Sequence, residues 1–180
     1  MIKVLVASFL MSAAMVATAH EKPPSRFESW GVCPFECCTY REWTADADVP
    51  VHQQRSDRSA VLFHLSSGEP FDALTGVVVT ENPALVTIDH PLRDGYVAGD
   101  NQPQLSFKEG DVIYKLAPLG EGAFRFWYHG KVYDSGTDLA GMPGVEGKGV
   151  TLTWWKQVRN KAGKTGWTRS DRFRNADACG

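Results

Sequence analysis

Short runs of β-branched and aromatic residues alternate with turn-forming residues along most of the chain. The pattern is clearest at residues 123–128, where Phe124, Phe126 and Tyr128 fall on one face of a strand. We predict strands at residues 39–44, 49–51, 60–65, 71–80, 86–88, 105–108, 112–116, 123–128, 131–133, 150–159 and 164–168. Glycine and proline separate these runs, and no segment sustains a helical apolar period over three turns. The pattern therefore predicts an all-β protein.

The longest apolar run lies at the N-terminus and has the features of an export signal. Lys3 precedes an apolar stretch at residues 4–16, and Ala17-Thr18-Ala19 supplies the small residues of a signal-peptidase site. The stretch is too short to span ~30 Å of hydrocarbon. We therefore predict a signal peptide at residues 1–19, cut after Ala19, and a periplasmic or secreted protein with no membrane span in its mature chain.

Cysteines dominate the segment that follows. Residues 20–43 are predicted to be an extended arm and a Cys-rich segment that holds Cys33, Cys37 and Cys38, while Cys179 lies far away in sequence. In an oxidising compartment, four cysteines indicate two disulfides. One pairing joins Cys33 to Cys37 and Cys38 to Cys179, and we prefer it slightly; the other joins Cys33 to Cys38 and Cys37 to Cys179. A bridge between the adjacent cysteines is disfavoured because it strains the peptide between them.

Charge is distributed unevenly over the mature chain. Residues 20–100 carry 6 basic and 13 acidic side chains, and residues 101–180 carry 12 basic and 8 acidic ones, which gives net charges of −7 and +4. Such an asymmetry indicates either an anionic partner for the second half or attraction between the two halves.

The last predicted hairpin carries a family resemblance. Residues 154–160, Trp-Trp-Lys-Gln-Val-Arg-Asn, and residues 163–167, Gly-Lys-Thr-Gly-Trp, resemble the closing strands of a bacterial SH3-like (SH3b) domain. Residues 107–116 look like the opening strands of that family, and residues 49–80 hold a weaker copy.

The resemblance implies a first SH3b-like β-unit at residues 44–95 and a second SH3b-like small barrel at residues 96–180. SH3b domains are usually non-catalytic modules of secreted or cell-envelope proteins, and many bind peptidoglycan peptides. The resemblance therefore implies a periplasmic binding module for a cell-envelope ligand, such as a peptidoglycan peptide or an anionic partner.

Motifs of the common enzyme classes are not found. The sequence holds no Gly-x-Ser-x-Gly elbow, no His-Glu-x-x-His zinc helix and no phosphate-binding loop. We expect a protein that is not an enzyme and that needs no cofactor. Export from the cell argues against nucleic acid as a partner and favours an envelope component or an envelope protein.

Aromatic and basic residues of the second half are the predicted ligand-binding residues. They are Trp127, Tyr128, Trp154, Trp155, Trp167, Lys156 and Arg159. Trp154 and Trp155 are adjacent on one strand and must point to opposite faces, so we expect one in the core and the other at the surface. The alternative is that these tryptophans are core residues and the charges only keep the surface solvated.

Two other functions are open from the sequence. If cleavage follows Ala19, His20 offers its amino group and its imidazole to copper, a metal that imidazole suits. The other histidines show no ligand spacing, and we assign no metal-binding residues. The second alternative is a structural or inhibitor protein of the envelope.

Overall fold

Strands make up most of the structure, which confirms the predicted all-β class. The computed structural model describes residues 21–142 and 149–177, and the predicted signal peptide at 1–19 and His20 lie outside this range. The first strands are β1 (Arg26–Trp30), β2 (Glu42–Ala45), β3 (Val49–His52), β4 (Val61–Leu65), β5 (Pro70–Glu81), β6 (Ala84–Thr87), β7 (Leu92–Arg93) and β8 (Tyr96–Val97). The later elements are β9 (Ser106–Phe107), β10 (Val112–Gly120), β11 (Ala123–Tyr128), β12 (Lys131–Asp134), α1 (Thr137–Ala140), β13 (Thr151–Arg159), β14 (Thr165–Thr168) and β15 (Phe173–Arg174). Within the described residues, no helix is long and apolar enough to cross a membrane.

The larger sheet is organised around β5. Its strand order, over the described residues, is β15-β2-β5-β13-β14-β3-β4, and β1 also pairs with β5. From Val77 to Thr80 every residue of β5 is buried. A continuous β-branched run of this kind suits a strand that is covered on both faces. β5 therefore separates two packed faces of the sheet.

The neighbouring strand β13 alternates between these two faces. Trp154 pairs with Val78 and Trp155 with Val77, so the adjacent tryptophans point to opposite sides, as the period of a strand requires. Trp155 is 5% exposed and packs with Val77 and Val79. Trp154 is partly buried and packs against the main core of this sheet. The two predicted ligand residues therefore serve different faces.

The smaller sheet, in the order β6-β10-β11-β12-β8, has its own core. Phe124 and Phe126 are fully buried there and Tyr128 packs against the same core, which confirms the predicted alternation along β11. The turn between β11 and β12 has two residues, His129 at φ 46° and Gly130 at φ 77°. Two left-handed residues are what a type I′ hairpin turn requires.

The two sheets are in contact and share the chain in an interleaved way. Val78 of the larger sheet packs against Ala117 of the smaller one, and the Thr80 hydroxyl donates a buried hydrogen bond of 2.6 Å to the Leu116 carbonyl. Both sheets take strands from either side of residue 95, the predicted boundary between two β-units: β5 pairs with β13, and β6 with β10. Local sequence patterns do not predict which distant strands pair with each other.

The preferred pairing of the cysteine cluster is wrong. Cys33 is bonded to Cys38, with the two Cα atoms 5.4 Å apart, and not to Cys37. The Cys38 N–H donates to the Phe35 carbonyl at 3.3 Å, and Cys37 has a left-handed φ of 56°, so this turn brings Cys38 back to Cys33. Cys37 is disulfide-bonded as well. Cys179, its partner in the alternative pairing, lies outside the described residues.

The chain after β14 returns to the cysteine segment. Phe173 of β15 pairs with Ala45 of β2, and Asp177 forms an isolated bridge with Cys38. The Arg41 Nη2 donates to the Asp177 carbonyl at 2.5 Å. Residues that are distant in sequence are therefore held side by side along one edge of the larger sheet.

Ion pairs join basic residues of the second half to acidic residues of the first half. They are Arg159–Asp72 at 2.8 Å, Arg169–Asp57 at 2.7 Å and Arg174–Asp46 at 2.5 Å. The side chains are largely exposed, so each pair contributes little to stability. The charge asymmetry of the sequence is thus partly satisfied within the molecule.

Candidate functional site

A cleft of about 390 Å³ opens on the Trp154 face of the larger sheet. We call it the aromatic cleft. Its lining residues are Pro34, Phe35, Trp43, Val78, Leu152, Trp154, Asp171, Phe173 and Ala176. They come from the cysteine loop, from β2, β5 and β13, and from the segment around β15. The fold brings these distant segments together, and no short sequence motif marks the site.

Aromatic rings form much of the wall of this cleft. Phe35 and Trp43 meet Trp154 edge-on, with ring centroids 5.9 Å and 6.0 Å from that of Trp154. Phe173 lies 5.6 Å from Trp43. Trp43 is fully buried, whereas Phe35 is 39% exposed. Edge-to-face contacts hold such rings in place, so the cleft is a preformed apolar surface with one exposed ring at its rim.

Tyr40 fixes the orientation of Trp154. The indole Nε1 of Trp154 donates to the Tyr40 hydroxyl at 3.0 Å, and this hydroxyl donates to the Val32 carbonyl at 2.6 Å. A Cβ at Gly76 would overlap the Tyr40 hydroxyl, so glycine is required there. Burial raises the pKa of Tyr40 to about 12, although the hydrogen bond from Trp154 acts in the opposite direction. Tyr40 is therefore a neutral link between the cysteine segment and β13.

Lys156 places a positive charge beside the aromatic wall. Its side chain is fully buried, yet its Nζ lies 2.7 Å from Asp171 Oδ1 and 3.3 Å from the Arg169 carbonyl. The ammonium also lies 4.0 Å from the ring centroid of Trp154 and 5.6 Å from that of Phe173, within cation–π range. Burial lowers the pKa of Lys156, and the Asp171 carboxylate partly opposes this effect.

The counter-ion of Lys156 is at the surface. The Asp171 side chain is 81% exposed and belongs to the connection between β14 and β15. Because Asp171 also lines the aromatic cleft, its carboxylate stands between the solvent and the buried ammonium. The arrangement can hold an apolar group against the rings and exchange one carboxylate for another at Lys156.

Two of the other predicted ligand residues lie on the opposite face of the sheet. Trp155 is buried against Val77 and Val79, and Trp167 packs against the same cluster. The rings of Trp167 and Trp30 meet edge-on at 5.9 Å. The structure therefore does not bring Trp155 and Trp167 together with Trp154 and Lys156.

The remaining predicted residues are elsewhere again. Trp127, on the smaller sheet, donates from Nε1 to the Glu21 carbonyl at 2.9 Å. Tyr128 donates to Asp111 Oδ2 at 3.1 Å, and burial, together with this carboxylate, raises the pKa of Tyr128 to about 12. Arg159, at the end of β13, is engaged in its ion pair with the first half. The seven predicted residues thus occupy separate places: Trp154 lines the aromatic cleft, and Lys156 is buried beside it, behind the lining residue Asp171.

Sequence reasoning missed Phe35, Trp43 and Phe173 as members of a site. Phe35 lies inside the disulfide loop, Trp43 on the first predicted strand, and Phe173 in a tail without a repeating pattern. The available signal was an apolar ring enclosed by cysteines, since a short disulfide loop is poorly suited to burying a phenylalanine in a core.

The histidines considered as copper ligands do not gather in the described part of the chain. Their contacts are with Ser59 for His52, Asp48 for His64, Asp89 for His90 and Tyr128 for His129. Among the described residues, no group of three His, Cys, Asp or Glu side chains could hold a metal ion. His20 lies outside them, so the copper hypothesis stays a prediction.

No protein family, curated protein or solved structure matches this chain. The resemblance to SH3b domains therefore stays a prediction from the sequence. The chemistry of the aromatic cleft carries the functional conclusion instead.

Proposed function

We propose that the protein is a non-catalytic binding protein of the cell envelope and that its ligand binds in the aromatic cleft. The observation that supports this most directly is that the buried Lys156 ammonium lies next to the aromatic wall, against Trp154 and behind the lining residue Asp171. Small-ligand sites are typically concave and apolar, with a few polar groups that fix orientation. Here the aromatic rings supply the apolar surface, and the Lys156 ammonium supplies the charged group.

The ligand that fits best has an apolar part and a free carboxylate. The apolar part packs against Trp154 and Phe35, while the carboxylate takes the place of Asp171 at the Lys156 ammonium. This exchange leaves the buried charge paired, which avoids the large cost of an isolated buried ion. Asp171 moves into solvent, where its exposed side chain already lies for the most part.

A peptidoglycan peptide has this chemistry, since it carries small apolar side chains and free carboxylates. The resemblance to SH3b domains and the predicted signal peptide at residues 1–19 support an envelope ligand of this kind. We also propose that the β13–β14 hairpin, which carries the sequence resemblance, belongs to an SH3-like small barrel.

The test is binding of a purified peptidoglycan stem peptide, measured by calorimetry, to the mature protein and to Phe35→Ala. We expect the substitution to weaken binding at least about fivefold, because it removes the exposed ring of the cleft. Leu85→Ala is the matched control, since Leu85 is 45% exposed and lies on the smaller sheet. That variant should bind as the wild type does.

Equal affinity of Phe35→Ala and the wild type would contradict the assignment of the cleft. If the stem peptide does not bind but an acidic protein is captured from an envelope extract in a Phe35-dependent way, the site is correct and the ligand class is wrong. Capture that does not depend on Phe35 would contradict both.

A further inference from the structure

We infer that the protein has a second binding site, for a neutral saccharide chain, on the face of the larger sheet opposite to the aromatic cleft. A second cleft, of about 490 Å³, opens there beside Trp30 and Trp167. We call it the Trp30 cleft. The body of β13 separates the two clefts, so this site is independent of the proposed function.

Trp30 forms a fixed aromatic platform in this cleft. It is 53% exposed, although it is one of the largest apolar side chains in the protein. Its ring meets Trp167 edge-on, and the Arg55 guanidinium lies 4.9 Å from the ring centroid of Trp30 and 5.6 Å from that of Trp167. Arg55 is in turn held by Glu28 at 2.9 Å. A ring held in this way loses little conformational freedom when it binds a ligand.

Polar groups around the platform are available for hydrogen bonds. Within the described residues, the indole Nε1 atoms of Trp30 and Trp167 have no hydrogen-bond partner. The side-chain amides of Gln53 and Gln54, which line the same cleft, also make no hydrogen bond to a described residue. Each amide offers two donors and an acceptor. The cleft thus presents donors and acceptors next to a flat apolar ring.

The charges at this cleft compensate one another. Arg26 lies 3.4 Å from Glu28 and 3.9 Å from Glu81, and Arg55 pairs with Glu28. Two guanidinium groups therefore face two carboxylates. A polyanion would have to compete with Glu28 and Glu81 for these two guanidinium groups. A neutral ligand with many hydroxyl groups suits it better.

A saccharide chain combines the properties that the Trp30 cleft requires. The C–H face of a sugar ring is apolar and flat enough to pack on an indole, and its hydroxyl groups both donate and accept hydrogen bonds. A neighbouring cleft of about 350 Å³ shares Arg26, Arg55 and Ser56 with the Trp30 cleft and extends past Trp155. The two together give room for several sugar units, which favours a chain over a single sugar.

The test uses neutral hexasaccharides of glucose, of xylose and of N-acetylglucosamine, with a heparin hexasaccharide as the anionic probe. Binding is followed by NMR through the indole N–H signals. We expect at least one neutral hexasaccharide to shift the signals of Trp30 and Trp167. Trp30→Ala should weaken that binding at least about tenfold, as for the loss of a central aromatic anchor. Phe35→Ala, in the aromatic cleft, should leave it unchanged.

The proposal is overturned if no neutral hexasaccharide binds, if only the heparin fragment binds, or if Trp30→Ala binds as tightly as the wild type. Should Trp30→Ala fail to fold, the double variant Gln53→Ala/Gln54→Ala decides in its place, because both positions are exposed. Unchanged affinity in that double variant overturns the proposal as well, while a loss of about threefold or more supports it.

Discussion

Lys156 has an unusual environment for a lysine. It lies two residues from Trp154 on β13, so the two side chains share a face of the strand. The side chain is fully buried, and the ammonium reaches a carboxylate and two aromatic rings. A lysine is rarely fully buried, so Lys156 is the residue at which the proposed binding role can be tested against a role in stability.

We predict that Lys156→Met leaves stability unchanged or raises it by up to about 2 kcal/mol at neutral pH, because replacing a buried charge by an apolar chain is often neutral or favourable. The pKa of Lys156 is lowered in the folded state, so the folded protein releases this proton at a lower pH than the unfolded one. The free energy of unfolding of the wild type should therefore rise relative to that of Lys156→Met as the pH rises towards 10.5, the ordinary pKa of a lysine. Urea unfolding at several pH values measures this difference.

Binding separates this role of Lys156 from a merely structural one. Lys156→Met should weaken binding of the stem peptide in the aromatic cleft. Lys164→Met, at an exposed position in the β13–β14 turn, should change neither binding nor stability. A Lys156→Met protein that is strongly destabilised, or that binds the peptide normally, would show that the ammonium is a structural group.

At the residue scale, the sequence predicted which types of side chain form the candidate sites better than it predicted where those side chains lie. Aromatic side chains do form a candidate site: Trp154 lines the aromatic cleft, and the buried Lys156 ammonium lies against its ring. Trp155 and Trp167 belong to the other face because strand alternation assigns them there, and β13 is covered on both sides. Which partners cover each face depends on pairings across the sheet, and these cannot be inferred from the strand itself.

Among the elements, strands with strong alternation were predictable and short or unpatterned ones were not. β11 and β13 differ from the predicted strands by at most one residue at an end. β1 was predicted only as part of an extended arm, and its pairing with β5 is a contact between distant residues. β7, β8 and β9 have two residues each, too few to show a period.

The cysteine loop and the terminal strand β15 act together as one wall of the aromatic cleft. The Cys33–Cys38 disulfide closes a small ring that carries Phe35. Cys38 also forms an isolated β-bridge with Asp177. By chain entropy, so small a ring constrains the unfolded state by about 2 kcal/mol. The ring therefore serves mainly to hold the exposed phenylalanine in place.

We predict that Cys37 is bonded to Cys179. Cys33 and Cys38 pair with each other, Cys37 is also disulfide-bonded, and Cys179 is the remaining cysteine of the sequence. The closed loop of about 140 residues would constrain the unfolded state by up to about 5 kcal/mol. Cys179→Ser should therefore lower the melting temperature and expose a thiol at Cys37. Peptide mapping of the unreduced protein identifies the partner of Cys179, and the Cys33→Ser/Cys38→Ser variant serves as the comparison. A free thiol at Cys179 would contradict the prediction.

For the molecule as a whole, stability depends on two cores that meet at a narrow contact. One tyrosine with a raised pKa packs against each of these cores, Tyr40 beside the aromatic cleft and Tyr128 on the smaller sheet. Acidic residues of the first half and basic residues of the second half also meet across the larger sheet. Internal attraction thus explains part of the charge asymmetry without an external partner.

We predict that stability falls as pH rises from about 10 to about 12, the ordinary and the folded-state pKa values of Tyr40 and Tyr128. In this interval the unfolded chain loses phenolic protons that the folded chain keeps, so the free energy of unfolding decreases. Denaturant unfolding across the interval measures the slope. The double variant Tyr40→Phe/Tyr128→Phe should have a shallower slope, and an equal slope would mean that other groups drive alkaline unfolding.

The pairing of β5 with β13 has a consequence for the order of folding. Thr151 pairs with Glu81, so this contact closes a loop of about 70 residues. Two of the four pairings in the smaller sheet, β10–β11 and β11–β12, are hairpins of adjacent strands within that loop, and such local pairs form quickly. Once this sheet has formed, about 20 residues of the loop lie outside the smaller sheet, which lowers the entropy cost of closure by about 1 kcal/mol. A substitution that loosens the smaller sheet should therefore slow assembly of the larger one, although it touches neither β5 nor β13.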